Sequence, residues 1–376
     1  MDARSVLSRP LRWRFVAVGC VLFTTTLLWR NGYAGALHPF ASFQADSHMA
    51  FDSVSARTST AGRKSYVEDG ITLSAYTAPF TCNLQDLPPQ ARMATYELEN
   101  YIMVVHGFQD IVSDWLYKNG GWEKAQLEQM AAYMDAIATV EPSRDGYLDL
   151  GANIGAHAIP LAARKYKVHA FEPTHANHVL VRCSLALSGI GNKFRLNAFA
   201  LGDKPDTICM KSSNSNFGDS RVVNASTCEY KDQSPVGTMD HYWRQVLHRH
   251  QKIGVMKMDI QGFEINAMRQ ASAFFASDEA PAVVFFEYDI DLLTGSGRDP
   301  LELAAFFHDR GYRTWRALNT LEEVTMEKYP FFGKKEGWPK DPDMVAVKTE
   351  WLERLRTAGY LFEGSKIRGR VRPAAD

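Results

Sequence analysis

Between Gly146 and Lys348 short apolar runs alternate with stretches of helical period, and this alternation restricts the possible folds more than any other feature. The strand-like runs are "YLDL", "KVHAFEP", "KFRLNAFAL", "GVMKMDI", "AVVFFEYD", "RTWRAL" and "DMVAVK". Between them lie "AHAIPLAARKY", "HANHVLVRCSLALSG" and "LELAAFFHDRGY", which read as helices. Apolar strands of this kind must be covered on both faces, and the intervening helices supply the cover. The expectation is an α/β fold: a Rossmann-like, seven-stranded, mostly parallel sheet with helices on both faces. Ligands of such sheets bind beyond the carboxyl ends of the strands, where the strand order reverses.

The first strand ends in "LDLGANIG", so Asp149 closes it and Gly151 and Gly155 flank the loop into the next helix. Glycine permits tight turns and close ligand approach, and a helix N-terminus favours a carboxylate or phosphate. Dinucleotides and S-adenosylmethionine are both held in this way. The dinucleotide fingerprint needs a second glycine where this chain has Asn153, so a pyrophosphate is disfavoured. The second strand ends in Glu172, about twenty residues on, where an acid accepts hydrogen bonds from ribose hydroxyls. Both cofactors carry that ribose, and Glu172 does not choose between them.

In this order, "LDLGANIGAHAIPLAA", "VHAFEP", "LNAFALGD" and "VMKMDIQGFEINAM" resemble the FkbM-type methyltransferase family. The likeness covers roughly residues 95 to 320, and "DIVSDWLYKNGGWE" resembles that family's lead-in. The resemblance implies a class I S-adenosylmethionine-dependent methyltransferase fold and O-methylation, often of a sugar hydroxyl. Carried over by position, Asp149, Gly151, Asn153 and Gly155 would form the methionine side of the pocket. Glu172 would take the ribose, and Asn197 and Ala198 would lie at the adenine. The family more often has an acid where this chain has Gln261. A divalent cation is therefore possible but not indicated.

Transfer to a hydroxyl requires alignment of the acceptor and removal of its proton. Asp259 at the end of the fourth strand is the expected base or metal ligand, with Glu264 and Glu287 orienting substrate or sharing a cation. Asp289 reads as a solvated loop acid. His157, just inside the helix after the glycine loop, would touch cofactor or substrate, or reads as a packed or surface histidine. Trp122 and Glu123 would close over the cofactor, or Trp122 would simply anchor the following helix. The polar stretch "SSNSNFGDSRV" suits a substrate loop.

The first residues set the expected compartment. Arg4, Arg9, Arg12 and Arg14 precede the uncharged run 15–29, which reads as a signal-anchor, or as a signal peptide cleaved near Ala34 and Ala36. The expected organisation is a signal segment at 1–36, a flexible stem at 37–87 and a helical lead-in at 88–145. The methyltransferase domain follows at 146–350, with a C-terminal tail at 351–376. A single-pass protein with a lumenal, Golgi-like catalytic domain follows, or a secreted one after cleavage. Cys209 and Cys228 would pair in an oxidising lumen, or all four cysteines outside the apolar run are buried thiols. Asn224 begins a glycosylation triplet. With a net charge of −1, no nucleic-acid partner is expected. The expected partners are a small-molecule or glycan acceptor and a membrane. Two alternatives stay open: an NAD(P)-dependent Rossmann oxidoreductase, and a non-catalytic membrane-tethered module of the same fold.

Overall fold

The computed structural model describes residues 62–96, 99–107, 110–213, 216–223, 228–229, 232–316, 323–325 and 343–371. The expected signal segment, residues 37–61 of the expected stem and Asn224 lie outside the described residues. No helix among the described residues is long and apolar enough to cross a membrane.

The N-terminal strands are β1 (Arg63–Glu68), β2 (Ile71–Thr77), β3 (Arg92–Tyr96) and β4 (Tyr101–Val105). Next come β5 (Gly146–Leu150), β6 (Lys167–Phe171), β7 (Phe194–Asn197), β8 (Ala200–Leu201), β9 (Asp206–Ser213), β10 (Asn216–Val223) and β11 (Gln233–Gly237). The rest are β12 (Ile253–Met258), β13 (Val283–Glu287), β14 (Tyr312–Arg316), β15 (Glu323–Val324), β16 (Asp343–Lys348), β17 (Tyr360–Glu363) and β18 (Lys366–Arg370). The helices that matter for the site are α1 (Ile111–Asn119), α2 (Lys124–Val140), α3 (Ala158–Ala163), α4 (His175–Ser188), α5 (Glu264–Arg269) and α6 (Thr349–Thr357).

One sheet runs β1-β2-β7-β6-β5-β12-β13-β16-β14-β15. Its centre, from β7 to β14, contains the seven expected strands, and among these only β16 runs against the rest. The sheet nevertheless has ten strands rather than seven. Two of the additions, β1 and β2, come from the segment expected to be a stem, and β2 pairs with β7. Leu73 and Ala75 point inward and their polar neighbours outward, so this edge hairpin has the composition of a linker. Its buried Glu68 accepts hydrogen bonds from the backbone N–H (2.9 Å) and the hydroxyl (2.5 Å) of Thr238.

Alternation along the strands divides the core between two faces. Tyr147, Val255, Val283, Phe285 and Val345 pack on one side with Met130, Met134 and Ile137 of α2. Leu148, Leu150, Met256, Met258, Val284 and Phe286 pack on the other with Ile265 and Met268 of α5. The lead-in is not purely helical, because β3 and β4 form a hairpin ahead of α1. Residues 351–371 are no loose tail: α6 buries Trp351, Leu352 and Leu355, and the β17–β18 hairpin receives the Tyr133 hydroxyl at the Ser365 carbonyl.

Both cysteine pairs are disulfides, Cys82–Cys183 and Cys209–Cys228. The first joins the segment after β2 to α4 and closes a span of 101 residues. Loss of so long a closed loop frees unfolded-chain entropy worth roughly 3–5 kcal/mol. The double variant Cys82→Ser/Cys183→Ser is expected to lose about that much stability in urea unfolding. An unchanged midpoint would show that the bridge does not form.

Candidate functional site

The chain fills the sheet from β5 outward to β7, then crosses to β12 on the other side of β5, so the strand order reverses between β5 and β12. At that seam the register sets Asp149 opposite Lys257. Lys257 in turn faces Phe285 on β13, and two residues further Glu287 faces Asp343 on β16. Period two therefore puts Asp149, Lys257 and Glu287 on one face, the α2 face, with Asp259 just past the end of β12.

These groups are wired together. Lys257 donates from Nζ to Asp259 Oδ2 (3.0 Å). Gln261 donates from Nε2 to Asp259 Oδ1 (3.0 Å) and to Glu287 Oε2 (3.3 Å). Burial works against the Lys257 ammonium, but Asp259, Asp149 and Glu123 outweigh it and hold its pKa above the ordinary lysine value. Burial likewise raises Asp259, yet Lys257 and Gln261 prevail and keep its carboxylate ionised below the usual range. Glu287 goes the other way: burial, then Asp259 and Glu264, push it well up, so it carries a proton at neutral pH.

Asp149 is 1% exposed, and neither of its carboxylate oxygens makes a hydrogen bond. Burial raises its pKa to about 7, Lys257 opposing and Asp259 and Glu172 reinforcing. The glycine loop above it is sterically fixed. Gly151 has φ +84°, and a Cβ there would sit 1.9 Å from the Asp259 carbonyl oxygen. The loop's N–H groups are already used: Gly151 and Ala152 donate to the Phe171 carbonyl, Asn153 to Glu172 Oε2 and Gly155 to the Ala152 carbonyl. Glu172 also accepts from the Thr174 N–H (2.8 Å).

Two cavities meet at this seam. A slot of about 70 Å³ is lined by Phe171, Glu172, Phe199, Leu201 and, from the β9–β10 hairpin, Ile208, Met210 and Val222. An open cleft of about 560 Å³ is lined by Trp122, Glu123, His157, Lys257, Glu287 and Asp289, among others. Gly151, Asn153, Asp259 and Gln261 line both.

Of the residues expected from the sequence, Gly151, Asn153, Glu172, Asp259 and Glu287 come together around these cavities. Asp149 is buried at the end of β5, next to Leu150 and Gly151 of the lining, and itself lines neither cavity. Gly155 serves the turn into α3, where its φ is +86°. Asn197 and Ala198 do not face the slot. Asn197 is fully buried, donating to the Ala170 carbonyl and the Tyr242 hydroxyl, while Ala198 N–H pairs with Ser74. Phe199, Ala200 and Leu201 take their place along the slot. Glu264 is not in the cleft either. It is buried behind it, accepting from the Ile260 N–H (2.9 Å), and burial lifts its pKa to about 7. It braces the 260–263 turn. The expected substrate loop is instead a hairpin, β9–β10, that walls the slot. Lys257 went unread in the sequence, although a lysine inside "GVMKMDI", two residues before Asp259, is the signal for it. Among the described residues no group of three or more His, Cys, Asp or Glu side chains is placed to hold a metal ion.

Residues 149–314 match the family described as "Methyltransferase FkbM domain". No curated protein matches the chain. Similar solved structures include monomeric WbdD, at 9% identity and a TM-score of 0.38, covering 68% of this chain and 46% of that one. WbdD is described elsewhere as a bifunctional kinase-methyltransferase. Another is an O-methyltransferase from Bacillus cereus in complex with SAH, at 9% identity and a TM-score of 0.32, covering 64% of this chain and 98% of that one. The chain spans less than half the length of WbdD.

Asp149 supplies a pH test. Its raised pKa means that ionising it destabilises the ligand-free fold: the penalty is absent below the unfolded value near 4 and complete above about 7. Asp149→Asn should therefore gain stability on the parent as pH rises from about 4 to 7, by a few kcal/mol in all. Thermal melts across that window check it; parallel curves would mean that Asp149 is not titrating there.

Proposed function

We propose that the protein is an S-adenosylmethionine-dependent O-methyltransferase whose acceptor is a hydroxyl of a sugar or glycan. One observation carries the reading: the same four residues line a narrow slot and a broad acidic cleft, so groups held in each meet at Gly151, Asn153, Asp259 and Gln261. The slot's chemistry suits a nucleoside, with Phe171 and Phe199 as apolar walls and Glu172 retaining lone pairs for ribose hydroxyls. Asp149, buried and without a hydrogen bond, suits the ammonium of an amino-acid tail. The bound donor would supply a methyl group already activated by positive sulfur.

The chain's own task is to place the acceptor oxygen and manage its proton. Glu287, Asp259 and Gln261 offer the hydrogen-bonding groups that sugar hydroxyls require. Trp122 lines the cleft and packs edge-on against Trp115, which is 52% exposed, beside Ile111 at 58%. An apolar aromatic rim next to carboxylates suits a ring with one hydrocarbon face and many hydroxyls. The dinucleotide alternative is disfavoured further, because the N–H groups of Gly151, Ala152, Asn153 and Gly155, which would help cradle a pyrophosphate, are spent on Phe171, Glu172 and Ala152.

Two disulfides in one domain support an oxidising compartment. With the basic-then-apolar N-terminal sequence, they support a lumenal domain in the secretory pathway, Golgi-like and anchored at its N-terminus, or secreted if that segment is cleaved.

The test is incubation of the purified full chain with methyl-labelled donor and a glycan panel. Label on a sugar hydroxyl is expected. Label only on protein or lipid rejects the glycan reading, and no transfer to any acceptor favours a non-catalytic module. Asp259→Ala should lower kcat by about a hundredfold or more while donor binding by calorimetry stays near normal. Unaltered turnover removes Asp259 from the reacting centre. Trp115→Ala should raise KM several-fold with kcat kept; an unchanged KM removes the rim from acceptor binding.

A further inference from the structure

The two carboxylates joined through Gln261 at the corner shared with the slot, Asp259 and Glu287, leave the acceptor's proton without a destination there. Asp259 has both oxygens engaged, and protonating it would strand the buried Lys257 ammonium. Burial beside Asp259 and Glu264 favours the protonated form of Glu287, which cannot take a second proton. We propose that His157 is the proton acceptor of the reaction and that Glu123 is the positioning residue that sets its tautomer, a reading that rests on methyl transfer to a hydroxyl in this cleft.

The geometry is specific. His157 follows the glycine loop directly, at the N-cap of α3; it is buried and lines the cleft with Glu123, Lys257 and Asp259. Its Nε2 is buried without a hydrogen bond, 3.4 Å from Glu123 Oε2. Glu123 stands at the N-cap of α2, the usual place for a side chain to cap the helix, yet it makes no capping bond. Its backbone is left-handed at φ +43°, as are those of Asn153 (+52°) and Gln261 (+56°), and all three residues line this cleft. Strained backbone of this kind persists where the surroundings enforce it, and it gathers at working sites.

A carboxylate beside Nε2 favours the tautomer protonated there and leaves the lone pair on Nδ1. Burial first, then Lys257, lowers the His157 pKa to about 3 against the pull of Asp259, so the ring rests neutral. The charged or titratable groups lining the cleft with it are Glu123 from the α1–α2 turn, Lys257 on β12, Asp259 just past it, Glu287 on β13, Arg221 on β10, and Asp289 and Asp291 beyond β13. In the step, the acceptor O–H bond breaks and its proton passes to Nδ1. The oxygen's electron pair forms the O–CH₃ bond, and the pair of the broken S–C bond stays on sulfur. The cleft loses the sulfonium's positive charge as it gains the imidazolium's, so net charge is conserved, and Glu123 and Asp259 face the new cation. Water then carries the proton away.

The decisive experiment has two readouts on the full chain. In ligand-free protein with ¹⁵N-labelled histidine rings, His157 should show the Nε2–H tautomer, and Glu123→Ala should shift it to a mixture. With donor and an accepted hydroxyl substrate, His157→Asn should lower kcat by about 10²–10⁴-fold. Its residual rate should climb with pH and recover partly with added imidazole, while donor affinity stays within about twofold. His157→Gln serves the same purpose should the asparagine variant not fold. A rate within threefold of the parent in a folded variant, or a ring protonated on Nδ1, overturns the assignment. An inactive parent with every hydroxyl acceptor instead sinks the methyl-transfer reading itself.

Discussion

The parallel pairing of β5 with β12 governs the rest of the site. Its register sets Asp149 against Lys257 on the α2 face, and the short turns beyond the two strands bring Gly151 within van der Waals reach of the Asp259 carbonyl. A side chain at Gly151 would force those strand ends apart. The buried ammonium keeps Asp259 ionised, Gln261 joins Asp259 to Glu287, and the slot and cleft share that corner as a wall. Strand register, not loop chemistry, brings the charges together.

Much of this was legible in the sequence because it follows from period and position. Apolar runs with charges only near their ends forecast the central strands, and the glycine spacing located the switch point. The additions were harder to see. β2 alternates inward Leu73 and Ala75 with threonine and serine, a pattern that composition alone cannot separate from a linker. The β17–β18 hairpin, short and half-exposed, has the same character.

Within the site, the failures share a physical cause. Sequence position fixes which strand end a residue belongs to, but not which side of the turn it faces. Asn197 and Glu264 sit at the right ends and turn inward to satisfy backbone groups. His157 looked like an ordinary packed residue because its partner, Glu123, comes from a turn more than thirty residues earlier, and only the fold brings the two together. Gln261 was visible as a departure from the family pattern. Its role as an amide link between two carboxylates needed the left-handed turn to be seen.

The β9–β10 hairpin walls the slot through Ile208, Met210 and Val222, contributes Arg221 to the cleft, and is tied through Cys209 to Cys228. At about 70 Å³ the slot is smaller than the several hundred that small-molecule sites usually offer, so the nucleoside proposed for it would need that wall to give way. On that proposal, loading the slot is a gating problem set at a cross-linked wall. Because the same hairpin borders the cleft, the proposed donor and acceptor would share one wall, and each would limit the other's access through it.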